Sequence, residues 1–122
     1  MIEATRHDLQ ERTKAFALRI VRMFASLTKN DVAAQVLGKQ VLRSGTSVGA
    51  QYREACRSRS RAEFVSKVDS CLQEIEETRY WLDLLVESEI VSEKRLQPLM
   101  DEARELTAIL TASSRTAKRN KT

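Results

Sequence analysis

The stretch that decides the fold is Val41-Leu42-Arg43-Ser44-Gly45-Thr46-Ser47-Val48-Gly49-Ala50-Gln51-Tyr52-Arg53-Glu54-Ala55. Together with Gly38 it holds all three glycines of the 122-residue chain. Steps of seven and four place Gly38, Gly45 and Gly49 on one stripe of a helix, in line with Leu42, Tyr52 and Cys56. Each glycine destabilises a helix interior by roughly 0.8–1 kcal/mol relative to alanine. The expected compensation is close approach of another helix, either inside the subunit or from a neighbouring one. The other side of the same helix gathers Lys39, Arg43, Arg53 and Arg57, with Thr46 among them. One helix therefore combines a packing stripe with a cationic strip.

The segments on either side of this helix are helical too. Upstream, Leu9, Thr13, Phe16, Ile20, Met23 and Leu27 alternate steps of four and three, predicting a first helix from about Asp8 to Leu27. Thr28-Lys29-Asn30-Asp31 reads as a turn, with Asn30 or Asp31 capping a second helix over Val32 to Arg57. Downstream, Arg57 to Ser60 form a polar break, and Ser60-Arg61-Ala62-Glu63 has the form of a capping box. The third helix carries the seam Phe64, Val68, Cys71, Ile75, Thr78, Leu82 and Leu85, with Tyr80 and Trp81 off it. After a turn at Ser88 to Val91, Ser92 caps a fourth helix bearing Leu96, Leu99, Met100, Ala103, Leu106 and Leu110. Pro98 is expected to bend that helix or delay its start. The pattern implies an all-α, up-down-up-down antiparallel four-helix bundle over residues 1–112, followed by a basic, flexible tail over residues 113–122.

Composition narrows the function classes. Three glycines and one proline are too few for the turns of a β protein. No apolar run approaches the ~20 residues of a membrane span, and Glu3, Arg6, Asp8 and Glu11 interrupt the N-terminus where a signal peptide would be apolar. A cytoplasmic protein without membrane contact is expected. Cys56 and Cys71 lack ligand spacing and read as reduced thiols, while His7 is the single histidine. No metal, cofactor or small-molecule substrate is expected. The acids Glu74, Glu76, Glu77 and Asp83 lack the Glu-x-x-His pairs of di-metal bundles. Ser44, Thr46 and Ser47 have no identifiable base, so no catalytic residue is assigned.

The net charge is +4, and its distribution is uneven. Leu37 to Arg61 hold six basic residues against Glu54 alone, whereas Glu63 to Glu89 hold eight acids against Lys67 and Arg79. The last ten residues carry Arg115, Lys118, Arg119 and Lys121 with no acid.

The Gln40–Ala55 stretch also carries a family resemblance. With Glu77-Thr78-Arg79-Tyr80-Trp81-Leu82 and the Ser60 to Phe64 helix start, it resembles a bacterial family of four-helix bundles encoded in intervening sequences of large-subunit rRNA genes. The accessory variability proteins of diversity-generating retroelements are relatives in the same superfamily. The resemblance spans about Phe16 to Leu110 and implies a homopentameric ring. It also implies a non-enzymatic role, with binding of nucleic acid through basic surface beside a reverse transcriptase.

Two binding surfaces are therefore expected. Lys39, Arg43, Arg53, Arg57, Arg59, Arg61, Arg115, Lys118, Arg119 and Lys121 form the candidate site for RNA or DNA backbone. No exposed aromatic residue is expected to accompany them, so contacts should be phosphate-directed and weakly sequence-specific. Gly38, Gly45, Gly49, Tyr52, Tyr80 and Trp81 are the candidates for helix packing or the subunit interface. The alternative pairs the basic strip with the acidic third helix, on its own subunit or a neighbour's, and makes the protein an assembly scaffold that binds no nucleic acid.

Overall fold

A computed structural model describes residues 2–120, the first three of them by backbone alone. Four helices follow in order, α1 (Ile2–Ala25), α2 (Val32–Cys56), α3 (Arg61–Glu87) and α4 (Glu93–Arg119), with no strand among the described residues. Each packs against its chain neighbours, and α4 returns to α1, giving an antiparallel four-helix bundle. Three of the starts are capped through side chains. Asp31 accepts from the Ala34 N–H at 3.0 Å, Ser60 from Glu63 at 3.1 Å and Ser92 from Arg95 at 3.2 Å.

The three glycines face α1. A Cβ built on Gly45 would stand 2.9–3.2 Å from three side-chain carbons of Ile20. On Gly38 it would meet the side chains of Leu27 at 2.5 Å and Phe24 at 2.9 Å. On Gly49 it would press on the backbone carbonyl group of Thr13 at 3.3 Å. The stripe is thus consumed inside the subunit, and Tyr52 next to it is fully buried. None of these four residues remains on the surface for a neighbour.

On its other flank α2 meets α3 in a fixed antiparallel register. Lys67 pairs with Glu54, the Cys71 thiol points at the Val48 carbonyl 3.6 Å away, and Thr78 donates to Ser44 Oγ at 2.8 Å. Ser44 passes its own proton to the Gln40 carbonyl at 2.9 Å. Both hydroxyls are fully buried, so this relay satisfies polar atoms that would otherwise be orphaned in the core. The seams of α1 and α3 are buried at every position named above.

Two boundaries differ from the sequence reading. Helix α1 begins at Ile2 instead of near Asp8, whereas α4 starts at Glu93 behind the expected Ser92 cap, with no delay from Pro98. The larger difference is at the C-terminus, where residues 113–119, expected as an irregular tail, continue α4. Ser114 is buried one step beyond Leu110 and donates to Asp69 at 2.8 Å. A small polar residue at a core position hid the seam. Lys118 and Arg119 also suit the last turn, where cations offset the helix dipole.

Two outcomes follow from this packing. Gly45→Leu drives a branched side chain into Ile20 and should lower the unfolding free energy by about 1–3 kcal/mol. A urea titration showing wild-type stability would contradict the close contact. The second outcome concerns pH. Burial pushes the Cys71 thiol up to about 12 and raises the Tyr52 phenol as well. The native state therefore keeps protons that the unfolded chain releases above about 8.5 and about 10. Stability should be intact at neutral pH and fall as pH rises through that window toward about 12. The shift in urea midpoint between about pH 7.5 and pH 10.5 should be smaller in Cys71→Ala. An unchanged shift would remove Cys71 as a source of the alkaline loss.

Candidate nucleic-acid interface

Antiparallel topology decides where the basic residues meet. The C-terminus of α2, the N-terminus of α3 and the C-terminus of α4 share one end of the bundle, together with the start of α1. Arg53 and Arg57 reach that end from α2, Arg59 and Arg61 from the turn and first residue of α3, and Arg115 and Arg119 from α4. All six side chains are exposed. None of them makes an ion pair among the described residues. Two acids toward that end are engaged elsewhere. Glu54 holds Lys67 at 2.9 Å, and Asp69 takes Ser114 together with Lys118 at 3.5 Å. Glu63 in the first turn of α3 and Asp8 on α1 also lie toward this end, and neither pairs with any of the six arginines among the described residues.

The other predicted residues separate from this cluster. Arg43 sits between Glu74, at 3.4 Å, and Glu77, closer still, so it bridges α2 to α3 within the subunit. Lys39 is exposed with no ion pair, yet lies about 27 Å along the helix axis from Arg57 at ~1.5 Å per residue. Lys118 is shared with Asp69. Lys121 lies outside the described residues. One basic residue was missed by the sequence reading. The Arg6 guanidinium stacks 4.7 Å above the Phe64 ring, joining the start of α1 to α3 at the same end. Only the earlier start of α1 brings Arg6 there.

The hydroxyls of the Ser44-Gly45-Thr46-Ser47 run are spent on backbone. Thr46 donates to Leu42 at 2.7 Å and Ser47 to Arg43 at 2.7 Å. No group of three His, Cys, Asp or Glu residues able to hold a metal occurs among the described residues. No described helix is long and apolar enough to cross a membrane. Tyr80 stands on the outer face of α3, 56% exposed, in edge-to-face contact with Trp81 at 5.1 Å. Trp81 is half-buried, and its indole N–H donates to Glu77 at 3.2 Å. Leu18 and Val21 on α1 and Val32 and Val36 on α2 are also exposed, Val32 by 78%.

Comparison with known proteins places this bundle. The model of the 23S rRNA-intervening sequence protein family matches residues 6–112. The chain belongs to that family. One solved structure of this kind is a protein of unknown function from the S23 ribosomal protein family of Bacteroides thetaiotaomicron VPI-5482. It shares 33% sequence identity over 90% of this chain and 97% of that one, with a TM-score of 0.82. No curated protein matches. In this bundle the glycine stripe and the Ser44–Thr78 relay belong to the scaffold. The arginine end carries exposed cations without ion pairs among the described residues.

The division of labour among the arginines is measurable. Arg43→Gln removes a cation shared by two carboxylates on a half-exposed surface, and should lower stability by about 0.5–1 kcal/mol. Arg53→Gln and Arg57→Gln break no ion pair and should stay within about 0.5 kcal/mol of wild type in urea titrations. Equal losses at all three positions would contradict the assignment of Arg43 to structure.

Proposed function

We propose that this protein is a non-enzymatic, oligomeric bundle that binds the phosphate backbone of RNA or DNA through its arginine end. Its role is that of a cytoplasmic accessory to a nucleic-acid process, reverse transcription among them. The observation that carries the reading is the convergence of Arg53, Arg57, Arg59, Arg61, Arg115 and Arg119 on one end, without ion pairs among the described residues. Exposed guanidinium groups suit bidentate phosphate contacts, and arginine is used here almost to the exclusion of lysine. The description of the family as one of 23S rRNA-intervening sequence proteins supports RNA as the first ligand to try. Binding is electrostatic and indifferent to sequence, since no exposed aromatic lies among these arginines to stack a base.

Oligomerisation is the second part of the proposal, and five copies is the number that the family resemblance implies. With the glycines used against α1, the surfaces available to a neighbour are Tyr80 with Trp81 and the exposed Leu18, Val21, Val32 and Val36. A ring would repeat the arginine end around one face, so that several weak contacts act together through avidity. Sedimentation equilibrium giving a monomer at micromolar concentration would remove this part.

The functional test is a fluorescence anisotropy titration of single-stranded RNA and of duplex DNA at two salt concentrations. Affinity should fall by about 0.7–0.9 log units per tenfold rise in salt for each phosphate contacted. Changing Arg53, Arg57 and Arg59 to Gln together should weaken binding and flatten the salt slope, while Arg43→Gln should change neither. Absence of binding to either nucleic acid at low salt would overturn the proposal and leave the protein as an assembly scaffold.

A further inference from the structure

The arginine end is not closed. A cleft of about 810 Å3 opens there between the start of α1, the α2–α3 turn and the last turns of α4. Its origin is visible in the side chains. Helices α1 and α4 are clasped by the bidentate contact of Arg12 with Glu102, at 2.7 and 3.1 Å. Beyond that clasp the α4 side offers Ile109 and then mainly the small Ala112, Ser113, Thr116 and Ala117, which leave the gap unfilled. Leu9, Tyr52 and Phe64 form its floor, each at most 8% exposed and Phe64 lying under the Arg6 guanidinium, while Ile109, Ala112 and Ala117 bring further apolar surface from α4. The volume falls within the range of about 300–1,000 Å3 typical of small-molecule sites.

The charged groups of this cleft share one sign among the described residues. Arg6, Arg59 and Arg61 stand in its lining, and no described Asp or Glu does. Arg59 and Arg61 hold no ion pair among the described residues. Ser58, also in the lining, has a hydroxyl oxygen buried without a hydrogen-bond partner, the single such side-chain atom among the described residues. A buried hydroxyl without a partner is destabilising unless something supplies one. An apolar wall, a cationic rim free of acids and an orphaned hydroxyl are complementary to one kind of molecule.

We propose that this cleft binds a small amphipathic anion, an aliphatic chain bearing a single carboxylate or phosphate head. The chain lies along Ile109, Ala112 and Ala117, above the floor of Leu9, Tyr52 and Phe64, and the head meets Arg59 and Arg61 beside Ser58. An extruded nucleotide base is a poorer occupant, because its edge needs several hydrogen-bond partners that the apolar wall does not provide. The inference stands apart from the nucleic-acid reading, although Arg59 and Arg61 serve both.

The test uses the full chain and a dansylated undecanoate probe, displaced by dodecanoate, dodecyl phosphate, dodecanol or adenosine monophosphate, all below micelle-forming concentrations. One probe should bind per chain, and dodecanoate or dodecyl phosphate should displace it about tenfold better than dodecanol, the effect of one charge-assisted contact. Which of the two anions is stronger identifies the head group. Arg59→Gln with Arg61→Gln should erase the preference over the alcohol. Ala117→Phe should fill the cleft and abolish probe binding while leaving the salt-dependent RNA affinity in place, which separates this inference from the previous one. Circular dichroism melts establish that the variant is folded, and Ala112→Leu is the milder filling variant if it is not. The proposal is overturned if the probe does not bind or if dodecanol competes equally. It is also overturned if the mononucleotide displaces as well as dodecanoate, or if a folded filling variant binds as before.

Discussion

The closeness of α1 to α2 is the constraint on which the rest of the structure depends. At Gly49 the neighbour is the Thr13 backbone, which cannot rotate away as a side chain can. At Gly45 it is the branched Ile20, and at Gly38 the side chains of Leu27 and Phe24. Three contacts along one helix set the distance, rotation and axial position of the pair. The penalty for glycine in a helix is of order 1 kcal/mol at each site, and dispersion gained across so short a gap is what offsets it. Once α2 is oriented toward α1, its other flank is committed to α3. There the buried Ser44–Thr78 hydrogen bond and the Lys67–Glu54 pair hold the register.

That register has an electrostatic consequence. The basic second helix and the acidic third helix run side by side, but they cancel only along part of their length. Arg43 meets Glu74 and Glu77 midway along the pair. Toward the α2–α3 turn Glu54 and Glu63 face Arg53, Arg57, Arg59 and Arg61, so arginines outnumber acids, and the end of α4 adds Arg115 and Arg119. Like charges gathered at one end repel one another, a cost reduced when an anion arrives. The same crowded end is where small α4 residues leave the cleft open.

Much of the fold was legible in the sequence because helical periodicity reports burial directly. Every seam residue named on α1 and α3 lies in the interior. The end of α4 was not legible, since Ser114 occupies a core position and carries no hydrophobic signal. Its burial depends on Asp69, distant in sequence and acceptor of its proton. The cationic surface was half legible. Sequence showed which side of α2 is basic and offered pairing with the acidic third helix, but not that Arg43 would be the member of the strip so paired. Nor did it show that Lys39 would stand far from the α4 arginines, because both facts depend on the register between helices. Arg6 and the cleft were invisible for the same reason.

On this reading the protein meets polyanions at one end of the bundle. Amide chemical shifts of the isotopically labelled protein, followed as a short single-stranded RNA is added, test it most directly. Perturbations should concentrate at residues 53–61 and 113–119 and at the start of α1, and leave the α1–α2 and α3–α4 turns unmoved. Shifts centred on Lys39 and the α1–α2 turn, or no shifts at low salt, would contradict it.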